Sequence, residues 1–140
     1  MNVKVGLIGL GKMGMNLGQN LIEHGHDVVA FDLNTQAVEE MTTYGAQSAA
    51  NMEALVQAME TPRIVWIMVP HHVVDSVISE ISPFMSKGDI IIEAGNSHYK
   101  ESIRRHEELK KIGISFMDVG TSGGMEGARH GACYMIGGDP

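Results

Sequence analysis

The sequence predicts an α/β fold, a doubly wound parallel sheet in a single domain, and three observations carry that expectation. Short runs dense in valine and isoleucine alternate along the 140 residues with segments whose apolar side chains recur at helical spacing. The strand-like runs are almost continuously apolar, as strands covered by helices on both faces must be. Glycines punctuate the joints: 17 of 140 residues, about 12% against the roughly 7% of average usage.

Residues 3–9 form the first expected strand, a β-rich run closed by glycine. Met13, Leu17, Leu21 and Ile22 then mark a helix that stops at His24 and Gly25. Residues 27–32 read as the second strand. Asn34 can cap a helix running through Val38 and Met41 to Tyr44, with Gly45 as its stop. Asn51 can cap a short helix over 52–59. Thr61-Pro62 breaks that helix, and the apolar run 63–69 is the third strand, ended by Pro70. Val73, Val74, Val77, Ile78 and Ile81 predict another helix, 83–88 a connection, and 89–93 a fourth, buried strand. Residues 100–112 have a helical pattern stopped by Gly113, 114–119 form a fifth strand, and 133–136 one more. No repeat, low-complexity stretch or linker divides the chain.

Composition narrows the function. Ten basic against seventeen acidic side chains, a formal charge of −7, argue against a nucleic-acid or anionic-membrane surface. No apolar run approaches a membrane span. The lone Cys133 forms no intrachain disulfide and no signal segment leads the chain, so a reducing cytoplasm is expected. Cys133 reads as a small buried hydrophobe, and the eleven methionines as core filling. His71-His72 is no metal pair, because adjacent side chains diverge and no third ligand follows, so no metal is expected. The charge is also uneven. Glu23, Asp27, Asp32, Glu39, Glu40, Glu53 and Glu60 occupy a stretch from Met13 to Pro62 that has no Lys or Arg, whereas the other ten acids and ten bases balance.

The turn after the first strand is Gly9-Leu10-Gly11-Lys12-Met13-Gly14, a G-x-G-x-x-G motif between a strand and a helix. In that context one glycine permits the turn, one lets backbone approach a pyrophosphate, and one allows close helix-strand packing. A plain tight turn is the alternative. Lys12 either contacts a phosphate or is simply solvated. Asp32 ends the second strand 18 residues after Gly14, where the dinucleotide fold places an acid against the adenosine ribose hydroxyls. A carboxylate ~4 Å from the 2′-phosphate of NADP meets ~4 kcal/mol of repulsion per unit charge at a dielectric near 20, so Asp32 favours NAD. The missing local arginine argues the same way. Asp32 as an ordinary strand-end or capping residue stays open.

Glu93-Ala94-Gly95-Asn96-Ser97 follows the fourth strand, placing polar side chains at the carboxyl edge of the sheet, where such folds bind ligands. Asn96 suits a carboxamide or a sugar hydroxyl, or else caps the next helix with Ser97. Residues 120–129 (GTSGGMEGAR) are dense enough in glycine to bring amides against an anion, or to form a surface loop.

Taken together, GLGKMG, the strand ending IMVP, EAGNSHY, SGGMEGAR and MIGG resemble the 6-phosphogluconate dehydrogenase family, within the wider β-hydroxyacid dehydrogenases, from the N-terminus through Gly138. The resemblance implies a Rossmann-like domain in which Leu10 to Gly14, Val69, Pro70 and His71 lie along the cofactor. Asn96 would touch both cofactor and substrate, and Ser122, Gly123 and Gly124 the sugar acid. Asp32-Leu33-Asn34 stands where NADP-dependent members carry Asn-Arg-Thr, and resembles the NAD-using subgroup. The 3-hydroxyisobutyrate branch typically has Ser-Thr where this chain has Gly95-Asn96-Ser97. Met125 and His130 depart from the family's usual Glu and Tyr.

The implied reaction is oxidation of the C3 hydroxyl of 6-phosphogluconate, then decarboxylation and ketonisation to ribulose 5-phosphate. The family's lysine base and glutamate acid lie in a helical region after the dinucleotide domain. Residues 1–140 are therefore expected to be the cofactor-binding portion of a larger homo-oligomeric enzyme, with no catalytic residue of their own. A 3-hydroxyisobutyrate-type dehydrogenase and a non-catalytic dinucleotide-binding module remain as alternatives.

Overall fold

The computed structural model describes residues 3–93 and 99–118. Within them, β1 (Lys4–Ile8), α1 (Lys12–Glu23), β2 (Asp27–Phe31), α2 (Thr35–Thr43) and β3 (Gln47–Ser48) wind to one side. Then α3 (Met52–Gln57), β4 (Ile64–Ile67), α4 (Val74–Ile81), β5 (Ile90–Glu93), α5 (Tyr99–Lys110) and β6 (Ser115–Asp118) wind to the other. All the pairings are parallel and the sheet order is β3-β2-β1-β4-β5-β6, that of the dinucleotide-binding fold.

The strand residues divide by parity, as a pleated strand requires. Leu7, Ala30, Trp66 and Ile92 pack with Leu17 and Leu21 of α1 and Met41 of α2. Ile8, Val29, Ile67 and Ile91 pack on the other face with Leu55 of α3, Val77 of α4 and Leu109 of α5. Each such side chain, removed from water, contributes roughly 1.5–3 kcal/mol, so both helical layers are held chiefly by apolar burial.

The expected elements appear with trimmed ends, and two local differences have simple causes. The sequence reading missed β3, whose two exposed polar residues pair with Val29 and Ala30 but are too short to show a period. A 3-10 turn over His71–Val73 precedes α4, and another over Ser82–Phe84 follows it, because Pro70 and Pro83 restrict the chain there. The strand expected over 133–136 lies outside the described residues.

At the amino edge of the sheet, Asp89 is fully buried. Its Oδ1 accepts from the Thr61 hydroxyl and the Arg63 amide, each at 2.7 Å. Its Oδ2 accepts from the Ser86 amide at 2.7 Å and from Arg63 Nη1 at 3.0 Å. Burial pushes this carboxyl up, but the four donors outweigh it and hold the group below the usual carboxylate range. A depressed folded-state pKa means that the clamp's stabilisation is complete above the unfolded value of ~3.9 and is lost as pH falls through the folded one. Urea midpoints are thus expected to drop steeply below about pH 4 in the wild type. Asp89→Asn should begin about 2–3 kcal/mol less stable and show a shallower acid dependence.

Candidate functional site

The turn between β1 and α1 uses its three glycines for three different reasons. Gly9 has φ +100°, and a Cβ there would lie 2.5 Å from the Met68 carbonyl oxygen at the end of β4. A Cβ on Gly14 would lie 2.1 Å from the Gly9 carbonyl oxygen, so the first turn of α1 sits directly against the end of β1. A Cβ on Gly11 would meet nothing within 4 Å. None of the described residues crowds that position, and its glycine leaves backbone bare on that side.

Gly11 is also the N-cap of α1, and no side chain caps it. By contrast α2 and α3 start with caps that the sequence anticipated. Asn34 Oδ1 accepts from the Gln36 and Ala37 amides at 3.0 and 3.4 Å, and Asn51 Oδ1 from the Ala54 amide at 2.7 Å. The first amides of α1 are therefore left without a side-chain cap at a helix start that lines the cleft through Gly11.

Asp32 follows β2 immediately. Its Oδ2 accepts from the Leu10 amide at 2.6 Å and its Oδ1 from the Asn34 amide at 2.8 Å. The carboxylate braces the glycine turn from the side as well as facing the cleft, so the strand-end and capping alternative describes part of what it does.

A cleft of about 290 Å³ opens at this edge, lined by Gly9, Gly11, Asp32, Leu33, Val69 and Pro70 among the residues singled out from sequence. Met52, Met68, Val73 and Val77 complete its apolar wall. They come from three separate segments, and although Met68 belongs to the IMVP run, nothing in their spacing marked them as one wall, so sequence reasoning missed them. Leu33 is 88% exposed beside Asp32. Lys12 and Asn34 instead line a neighbouring groove between α1 and α2, with Leu10, Gly11, Gln36 and Glu40. Leu10 itself is buried, Met13 is half-buried, and His71 is exposed in the turn after Pro70, its ring edge-on to that of His72. Asn96, Ser122, Gly123 and Gly124 lie outside the described residues. Among the described residues no cluster of His, Cys, Asp and Glu could hold a metal ion, and no helix is long and apolar enough to cross a membrane.

The acidic stretch from Met13 to Pro62 is more dispersed than its sequence position implied. Glu23 ends α1 and Asp27 begins β2, both at the edge opposite the cleft. Asp32 alone of the seven acids lines the cleft, while Glu39 and Glu40 line adjoining grooves. The electrostatic case for this end therefore narrows to those three acids, of which Glu40 shares its groove with Lys12, and to the absence of Lys or Arg between Met13 and Pro62.

Two substitutions separate the structural demands. Gly14→Ala is expected to destabilise by about 3 kcal/mol or more, since backbone must move to admit a methyl group. Asp32→Ala, which orphans the Leu10 and Asn34 amides, should cost about 1–2 kcal/mol. Urea unfolding monitored by Trp66 fluorescence would measure both.

Comparison with known proteins agrees with this geometry. The family described as the NAD binding domain of 6-phosphogluconate dehydrogenase matches residues 4–140. YqeC of Bacillus subtilis, whose name gives 6-phosphogluconate dehydrogenase as a provisional assignment, is 58% identical over 137 residues, covering 98% of this chain and 46% of its own. The NAD(+)-dependent, decarboxylating 6-phosphogluconate dehydrogenase of the same organism is 39% identical over 140 residues, covering 96% of this chain and 30% of its own. Among solved structures, 6-phosphogluconate dehydrogenase of Plasmodium falciparum, studied with NADP+ and with 6-phosphogluconate, superposes with a TM-score of 0.84 at 32% identity. It covers 91% of this chain, which in turn spans 29% of that one. The chain thus spans less than half the length of the relatives it matches.

Proposed function

The chain belongs to the family of the NAD-binding domain of 6-phosphogluconate dehydrogenase, and from that premise we propose that it binds NAD as the cofactor-binding part of an enzyme that oxidatively decarboxylates 6-phosphogluconate. The carrying observation is Gly11, a glycine at the uncapped start of α1 with open space where a side chain would be. A ligand approaching the start of α1 would give that position a reason to lack a side chain. The residues present fit a dinucleotide: backbone amides from Gly11 to Gly14 would hold the pyrophosphate, and Asp32, which already holds the Leu10 amide, the adenosine ribose. Bound NAD supplies a hydride acceptor for the substrate's C3 carbon.

The preference for NAD over NADP rests on Asp32 and on what stands beside it. A 2′-phosphate would meet this carboxylate with an exposed Leu33, and no Lys or Arg between Met13 and Pro62, to offset the charge. The name of the NAD(+)-dependent Bacillus subtilis relative supports this reading. Val69, Pro70 and His71 would follow the cofactor toward its nicotinamide. Asn96, with Ser122, Gly123 and Gly124, would meet the sugar acid. As part of the same proposal, residues 1–140 form the dinucleotide domain, the general base and acid come from a helical region after it, and the enzyme is a homo-oligomer.

Calorimetric titration tests the cofactor claim directly. NAD is expected to bind at least about tenfold more tightly than NADP; equal or tighter NADP binding overturns the Asp32 argument. Gly11→Ala should weaken NAD by about tenfold or more while changing stability by less than about 1 kcal/mol. Unchanged NAD affinity in that variant would remove the carrying observation.

A further inference from the structure

On the far side of the cleft from Asp32, β5 ends in Glu93, whose side chain is fully buried. It faces Arg105, in the middle of α5 and only 4% exposed, with Oε1 3.5 Å from Arg105 Nη1. The same guanidinium donates through Nε to Asp75 Oδ1 at 2.8 Å. Asp75 lies in the first turn of α4 and is half exposed. One buried cation thus joins the end of β5, the body of α5 and the start of α4. Its neighbour Arg104 is different in kind. It is 41% exposed and pairs with Asp75 at 2.7 Å, with Glu108 at 3.1 Å and with Glu101. Solvated pairs of that sort contribute little, whereas a buried charge is costly unless its geometry is used.

The position of this junction suggests its use. Asp32 marks the β2 side of the sheet for the adenosine and α1 marks β1 for the pyrophosphate. With strand order β2-β1-β4-β5, the second nucleotide falls over the ends of β4 and β5. Residues 68–73, which lead into α4, and the end of β5 border that region among the described residues. Arg105 is tied to the start of α4 through Asp75 and to the end of β5 through Glu93. Resting on the dinucleotide reading above, we propose that Arg105 is a positioning residue which, through Asp75 and Glu93, sets the spacing between the start of α4 and the end of β5 and so the affinity for the nicotinamide half of the cofactor. It touches neither cofactor nor substrate.

The test compares NAD with ADP-ribose, which lacks the nicotinamide, by calorimetry on the wild type and variants. Arg105→Met is expected to weaken NAD about tenfold and ADP-ribose by less than about twofold. Arg105→Lys keeps a cation for Glu93 without the two-armed reach, and should fall between the two. Arg104→Met should shift neither ligand by more than about twofold. Should Arg105→Met fail to fold, the charge-free pair Glu93→Gln with Arg105→Met carries the same expectation, because no charge is then left buried alone. Equal weakening of both ligands, as from general loosening, overturns the proposal, and so does unchanged NAD affinity. A wild type that binds neither ligand instead overturns the dinucleotide reading beneath it.

Discussion

The contact between the first turn of α1 and the Gly9 carbonyl just past β1 is the constraint on which the rest of the site depends. With 2.1 Å between an imagined Gly14 Cβ and the Gly9 oxygen, only a glycine lets the helix begin directly over the strand end. Moving the helix outward to make room would carry Leu10 away from Asp32, whose carboxylate holds its amide at 2.6 Å. It would also turn the start of α1 away from the cleft. Strand, turn, helix and the acid after the next strand form one rigid unit because each contact fixes the geometry of the next.

The two edges of the sheet use charge in opposite ways. At the amino edge Asp89 is surrounded by donors from Thr61, Arg63 and Ser86, which leaves it a purely internal fastener between the β4 and β5 strands. At the carboxyl edge Asp32 is half-buried with backbone donors on one side and the cleft on the other. Glu93 and Arg105 are buried beneath the same edge. This asymmetry follows from parallel topology. All strands end at one edge, and crossovers leaving β1 and β4 in opposite directions open a crevice there that the amino edge lacks.

Much of the site was legible in the sequence where local chemistry decides the outcome. Gly14 and the caps Asn34 and Asn51 each act on backbone within a few residues, and the structure shows those contacts. What remained illegible comes together only across the fold. The apolar wall of Met52, Met68, Val73 and Val77 carries no spacing that announces a ligand. Arg105 sits in a helix where Arg104, Glu107, Glu108 and Lys110 look much like it, yet it alone of these is buried.

From sequence alone, then, came the strand-helix alternation, the parallel sheet it implies and the chemistry of the glycine turn, because periodicity, caps and turns are properties of neighbours along the chain. Only tertiary structure decided that Asp32 braces the turn it faces and that the acidic stretch is spread over both edges of the sheet. The same holds for which of two adjacent arginines bears a buried charge. These depend on what packing brings within 4 Å, and residues 22 or 30 positions apart, such as Leu10 and Asp32 or Asp75 and Arg105, leave no local trace of meeting.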